Sequence, residues 1–103
     1  MQTDPMATAY WINTFTAIHD EAKLARYIEL SGPAMRSAGG RFLARGNPAY
    51  AFEGASTLRT TLIQFDTVED AVTAYQSPAY QQALQALGDG AEREIRIIES
   101  ADE

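Results

Sequence analysis

The chain has 103 residues, of which 46% are hydrophobic and 10% aromatic, which is enough apolar surface to offset the chain entropy of a single folded domain. Eight basic against fourteen acidic side chains leave a formal net charge of −6, and no two Lys or Arg residues are adjacent, so the positive field that would attract a phosphate backbone is missing. With no cysteine there are no disulfides, thiolate nucleophiles or thiolate metal sites, and no apolar run approaches the roughly 20 residues that span a bilayer. Neither nucleic acid nor membrane is an expected partner, and the expected location is the cytoplasm.

Residues 1–7 show no periodicity and read as a flexible lead, residues 8–100 as one domain and residues 101–103 as a short tail. Thr8 to Phe15 is rich in aromatic and β-branched residues and apolar on both parities, the pattern of a central strand covered on both faces. Asp20 can cap a helix whose apolar positions are Leu24, Tyr27, Ile28 and Met35. Within it, Pro33 after Gly32 predicts a kink or a break into two short helices. Gly39-Gly40 ends the helix, because glycine accepts the left-handed cap conformation.

Arg41 to Arg45 reads as a second strand. Gly46-Asn47-Pro48 is turn chemistry, and Ala49 to Glu53 alternates small and aromatic residues, so the two runs are expected to form a short hairpin or an extended, bulged arm. Arg59 to Phe65 is a third, strongly β-prone segment. After it Thr67-Val68-Glu69-Asp70 fits a capping box that opens a helix running out at Gln76. Ser77-Pro78 is a fresh start signal for another helix carrying Tyr80, Leu84 and Leu87 on one stripe, closed by Gly88-Asp89-Gly90. Glu94 to Ser100 alternates as an edge strand.

The order β-α-β-β-α-β is the split βαβ arrangement: an α+β, ferredoxin-like fold with a four-stranded antiparallel sheet, helices on one face, and strands one and three central and parallel to each other. Helices cover only one side of such a sheet. Yet apolar residues occupy both parities, with Tyr10, Ile12 and Ile63 assigned to one and Trp11, Phe15 and Leu62 to the other. The uncovered face therefore needs a second copy, which predicts a homodimer and a cavity where the two sheets, or the sheet and the helices, diverge.

Tyr10-Trp11-Ile12, Ser31-Gly32-Pro33, the run Gly39 to Gly46, Glu53-Gly54, the run Arg59 to Phe65, and Tyr75 to Tyr80 occur in an order and spacing that resembles the family called domain of unknown function 1330. The resemblance extends over about Ala9 to Glu99. It implies the dimeric α+β barrel form of the ferredoxin-like fold, with no general activity assigned. More distantly the chain looks like cofactor-free monooxygenases, small isomerases and dehydratases built on that barrel. It departs from the family pattern at Asn13 and Thr14, which are more polar than the resemblance implies.

Arginine is the unusual component, supplying seven of the eight basic residues. Arg41, Arg45 and Arg59 flank the inner strands, and a guanidinium fork suits a carboxylate or enolate; the competing role is an ion pair of Arg45 or Arg59 with Glu53. Gln64, between Ile63 and Phe65, either lines a pocket or bonds Tyr10, Asn13 or water. Tyr75 and Tyr80 are either core residues with satisfied hydroxyls or, near one helix junction, a hydrogen-bond donor to a developing oxyanion. Trp11 belongs to the core or the dimer interface, or stacks on an aromatic ligand.

His19 is the one histidine, placed as a solvated turn residue, and no metal or cofactor is expected. The resulting expectation is a homodimer binding a small carbonyl- or carboxylate-bearing organic molecule, with cofactor-independent acid/base chemistry of an isomerase or monooxygenase kind. In it Arg45 and Arg59 hold negative charge, Trp11, Gln64 and Tyr75 line the ligand site, Tyr80 polarises, and Glu53 is the candidate base. The alternative is a non-catalytic dimeric structural or stress-related protein with no ligand pocket.

Overall fold

The computed structural model describes residues 7–101. All but the last residue of the expected N-terminal lead, and residues 102–103 of the expected tail, lie outside the described residues. The elements are β1 (Ala9–Ile18), α1 (Glu21–Ser37), β2 (Arg41–Gly46), β3 (Thr60–Phe65), α2 (Val68–Gln76), α3 (Pro78–Leu87) and β4 (Ala91–Glu99). No helix among the described residues is long and apolar enough to cross a membrane.

The sheet order is β2-β3-β1-β4, and every neighbouring pair is antiparallel. The two central strands therefore run in opposite directions, not parallel as the sequence reading had them. The reason lies in the crossovers: α1 joins β1 to β2 across β3, and the α2–α3 pair joins β3 to β4 across β1. Each crossover links parallel strands with an opposed strand between them.

Register also decides which side chains share a face. Trp11 stands opposite Ile63 and Ile12 opposite Leu62, so Ile63 belongs with Trp11 and Leu62 with Ile12, the reverse of the parity grouping. Trp11, Asn13, Phe15, Thr61, Ile63 and Phe65 are buried on the helix side. Tyr10, Ile12 and Leu62 are half-buried on the open side, where Ile98 of β4, paired with Tyr10, remains 56% exposed. The helix-side core is completed by Leu24, Tyr27, Ala34 and Met35 of α1, Ala71 and Ala74 of α2, and Tyr80, Ala83 and Leu87 of α3.

Local chemistry sets the helix limits. The Asp20 carboxylate accepts from the amides of Ala22 and Lys23, Thr67 Oγ1 from Asp70, and Ser77 Oγ from Tyr80. At the end of α1, Gly39 has φ 95°, Gly39 N donates to Arg36 O, and Gly40 N donates to Met35 O, the paired bonds of a Schellman cap. Pro33 neither breaks α1 nor divides it, for the helix is continuous over 17 residues. Both Pro33 and Glu29, whose carbonyl loses its amide partner, are exposed, so water is at hand to satisfy the orphaned acceptor.

The hairpin between Arg41–Arg45 and Ala49–Glu53 does not form. β2 pairs with β3 on one edge, with Phe42 opposite Ile63 and a register shift before Ala44, and as the outermost strand has no strand among the described residues on the other. Residues 47–59 instead run as the arm that was the other expectation. Tyr50 and Phe52 are 80% and 74% exposed there and stack on each other at 6.1 Å. A turn follows in which Ala55 N donates to Phe52 O at 3.0 Å, with Glu53 and Gly54 both at positive φ. Ser56 ties the arm down by donating to Phe15 O at 2.6 Å. The last strand begins at Ala91, earlier than its alternation suggested, and this brings Arg93 into the sheet opposite Phe15.

Candidate functional site

Between the sheet and α1 lies a narrow cavity of about 30 Å³, room for one or two waters or the head of a small ligand. Strands β1 and β3 supply its floor through Trp11, Asn13, Phe15, Thr61 and Ile63, while Tyr27, Ser31 and Met35 come from α1 and Tyr80 from α3. Phe42, Arg45 and Arg59 complete the rim. Of all these only Arg45 is exposed, which puts the mouth beside it.

A chain of polar groups crosses the buried end. Asn13 Nδ2 donates to Tyr27 Oη at 3.4 Å, the Tyr27 and Tyr80 hydroxyls are 2.7 Å apart, and Arg93 Nη2 donates to Tyr80 Oη at 3.5 Å. The Arg93 guanidinium also lies 4.8 Å from the centre of the Tyr27 ring. Two atoms of this chain are enclosed without a partner, Asn13 Oδ1 and Arg93 Nη1. Buried polar atoms are nearly always hydrogen-bonded, and each orphan costs about 1–3 kcal/mol. An unsatisfied amide oxygen on a cavity wall is therefore a place for a donor, a ligand O–H or N–H or a water.

Burial pushes the Tyr80 hydroxyl well above the usual phenol range; the adjacent Tyr27 adds to this and the Arg93 charge partly opposes it. Tyr80 is thus a neutral phenol at physiological pH, able to donate a hydrogen bond but not to act as a phenolate base. The proton count is also informative. One phenol proton spans the 2.7 Å contact. With Asn13 donating to one oxygen and Arg93 to the other, the second phenol proton is left for whatever occupies the cavity.

The expected site residues are distributed unevenly. Trp11, Arg45, Arg59 and Tyr80 all line the cavity, with the Trp11 and Tyr80 rings edge to face at 5.3 Å. Tyr75 lies behind them, 5.9 Å from Trp11 and 5.4 Å from Tyr80, and faces a separate cleft against β4. Gln64 is on the opposite face of the sheet, its amide oxygen accepting from Arg41 Nε at 3.2 Å and Nη2 at 3.0 Å. Arg41 lies there too, bridging to Asp66 at 3.3 Å. Glu53 is exposed in the arm at φ 55° and does not reach the cavity. The Glu53 ion pair with Arg45 or Arg59 does not form, and neither arginine has a carboxylate within ion-pair distance among the described residues. Arg36 and Arg45 each stand 5.0 Å from the Phe42 ring at the rim.

Asn13, Tyr27 and Arg93 escaped nomination from sequence. Signals existed: Asn13 is an amide inside a run of aromatic and β-branched residues, and Arg93 has the parity of Ile95 and Ile97, the inward side of β4. Among the described residues no three metal-ligating side chains converge.

Sheet order and helix placement define a ferredoxin-like α+β protein with a small cavity beneath α1. The chain belongs to the family described as domain of unknown function (DUF1330), whose model matches residues 8–101. Among solved structures it is similar to the RPA0582 protein of unknown function from Rhodopseudomonas palustris, with a TM-score of 0.73, 13% identity, and 95% of this chain and 85% of that one covered. It is also similar to SnoaB, a cofactor-independent oxygenase from Streptomyces nogalater, with a TM-score of 0.67, 12% identity and coverage of 94% and 96%. A dimeric protein of unknown function with a ferredoxin-like fold from Bacteroides fragilis NCTC 9343 matches at a TM-score of 0.57, 18% identity and coverage of 96% and 100%. At these identities the likeness shows the fold. No functionally curated protein matches the sequence.

Proposed function

We propose that this protein binds and polarises a small carbonyl- or carboxylate-bearing organic molecule in the cavity beneath α1. The observation that carries this reading is the 2.7 Å Tyr27–Tyr80 hydroxyl pair on the cavity wall, which leaves one phenol proton for an acceptor, in a lining whose only charged members among the described residues are Arg45 and Arg59; the unpartnered Asn13 Oδ1 takes a donor, a ligand O–H or N–H or a water. The Tyr27–Tyr80 pair offers one phenol proton to a carbonyl oxygen, and the arginines at the rim hold negative charge. That is the acid half of cofactor-independent acid/base chemistry. No carboxylate or imidazole lines the cavity to supply the base, so binding with polarisation is what these residues support. SnoaB enters only as a fold relative described as a cofactor-independent oxygenase.

The functional unit in this proposal is a homodimer closed over the open sheet face. Tyr10, Ile12, Leu62 and Ile98 form an apolar strip there that no element among the described residues covers, and the Bacteroides fragilis relative is described as dimeric. One observation favours the non-catalytic alternative: at about 30 Å³ the cavity is mostly filled by side chains.

Titration of the protein with small carboxylates and enolisable ketones, followed by thermal shift and calorimetry, separates the two. Saturable binding that weakens in Arg59→Ala and Asn13→Ala is the expected result. No binding across the panel overturns the ligand reading and leaves the dimeric structural protein.

A further inference from the structure

Resting on that reading of the cavity, we infer that Arg93 is the positioning residue that makes the site selective for an anion, a planar carboxylate or enolate whose charge is held at the Tyr27–Tyr80 end. Arg93 is not in the lining of the cavity beneath α1; it borders the separate cleft between α3 and β4. It acts through Tyr80, to whose oxygen Nη2 donates at 3.5 Å. A guanidinium keeps its charge when buried, so this is a permanent cation behind the phenol pair.

Among the described residues no carboxylate pairs with it. Its sequence neighbours Glu92 and Glu94 are paired elsewhere, Glu92 2.7 Å from His19 and Glu94 3.0 Å from Arg96. No carboxylate lies within ion-pair distance of Arg93 among the described residues, and Nη1 is enclosed without a partner. In a chain with a net charge of −6, the cavity has two arginines at its rim, a third behind its wall and no acidic side chain in its lining. A cation so placed is met by charge arriving with the ligand.

Included in the proposal is a placement of the two phenol protons. In this arrangement the Tyr80 oxygen accepts from Arg93 Nη2 and its proton spans the 2.7 Å contact to Tyr27. Tyr27 then turns its own proton into the cavity, with Asn13 Nδ2 supporting the Tyr27 oxygen at 3.4 Å.

The test uses acetate and its neutral isostere acetamide as probes, titrated by NMR into the wild-type protein and into Arg93→Met and Arg93→Lys. Wild type is expected to prefer acetate by at least about tenfold, and Arg93→Met to lose about ten- to a hundredfold in acetate affinity with acetamide nearly unchanged. Arg93→Lys, which keeps the charge and guards against a misfolded Arg93→Met, is expected to retain the preference. A merely structural role for Arg93 would weaken both probes alike, and that result overturns the inference. Equal binding of the two probes to wild type, or a preference that survives Arg93→Met, also overturns it while leaving the ligand site intact. If neither probe nor any member of the wider panel binds wild type, the ligand reading itself fails.

Discussion

Replacing Tyr80 by phenylalanine removes one oxygen and leaves the ring in its contacts with Trp11, Tyr75 and Tyr27 at 5.3, 5.4 and 6.0 Å. The packing is conserved, so the loss is polar. The deleted group closes the 2.7 Å bond to Tyr27 and accepts the one hydrogen bond that Arg93 donates. A buried hydrogen bond is worth about 1 kcal/mol net, and leaving Tyr27 and Arg93 short of a partner adds on the order of 1–2 kcal/mol, so the variant is expected to lose about 2–3 kcal/mol. For a domain of this size that lowers Tm by roughly 10–20 °C. Urea denaturation at pH 7 measures it, with an unchanged m-value showing that the native fold is retained.

A second Tyr27→Phe variant completes a double-mutant cycle. Removing both hydroxyls is expected to cost less than the sum of the single losses by about 1 kcal/mol or more, because neither oxygen then strands the other. The same phenol gives a pH signature. Its pKa is raised in the folded state, so its contribution is fully present below the unfolded phenol value of about 10 and is lost as pH climbs beyond it. Tyr80→Phe is therefore expected to flatten the fall of stability between about pH 10 and 11.5. A Tyr80→Phe protein within about 0.5 kcal/mol of wild type at pH 7, with an unaltered alkaline slope, would refute the buried polar chain.

Two glycines of similar appearance are expected to respond in opposite ways. At Gly32, in the middle of α1, an added methyl meets nothing closer than the flexible end of Arg36 at 3.4 Å, so Gly32→Ala should stabilise the fold by up to about 1 kcal/mol in thermal denaturation. At Gly40 the methyl would lie 2.8 Å from Ile63 Cγ2 and 2.9 Å from the Met35 carbonyl oxygen, so Gly40→Ala should cost about 1–3 kcal/mol because backbone cannot yield. On the open face, Leu62→Glu places a charge in the centre of the apolar strip. Sedimentation equilibrium is expected to find a monomer for this variant and a dimer for wild type; a wild-type monomer at micromolar concentration removes the basis for the homodimer.

Sequence alone was sufficient for whatever depends on near neighbours in the chain. Asp20, Thr67 and Ser77 begin helices because a side-chain oxygen reaches an amide two or three residues on, and Gly39 ends one because its φ of 95° suits glycine. Such contacts are written in local spacing, and so are the element order and the need to cover two apolar sheet faces. The central strands defeated parity: when both faces of a strand are apolar, only pairing decides that Ile63 joins Trp11 and that Gln64 turns away toward Arg41.

The site is further still from local legibility. Asn13, Tyr27, Tyr80 and Arg93 come from β1, α1, α3 and β4, and the Tyr27–Tyr80 contact spans 53 residues of chain. The sequence by itself determined the elements, their caps and the fold class, since these are short-range properties of the backbone. Tertiary packing alone decided that an arginine and two phenols, each unremarkable in its own segment, meet an asparagine in the interior, because burial and the removal of water are consequences of the whole chain closing.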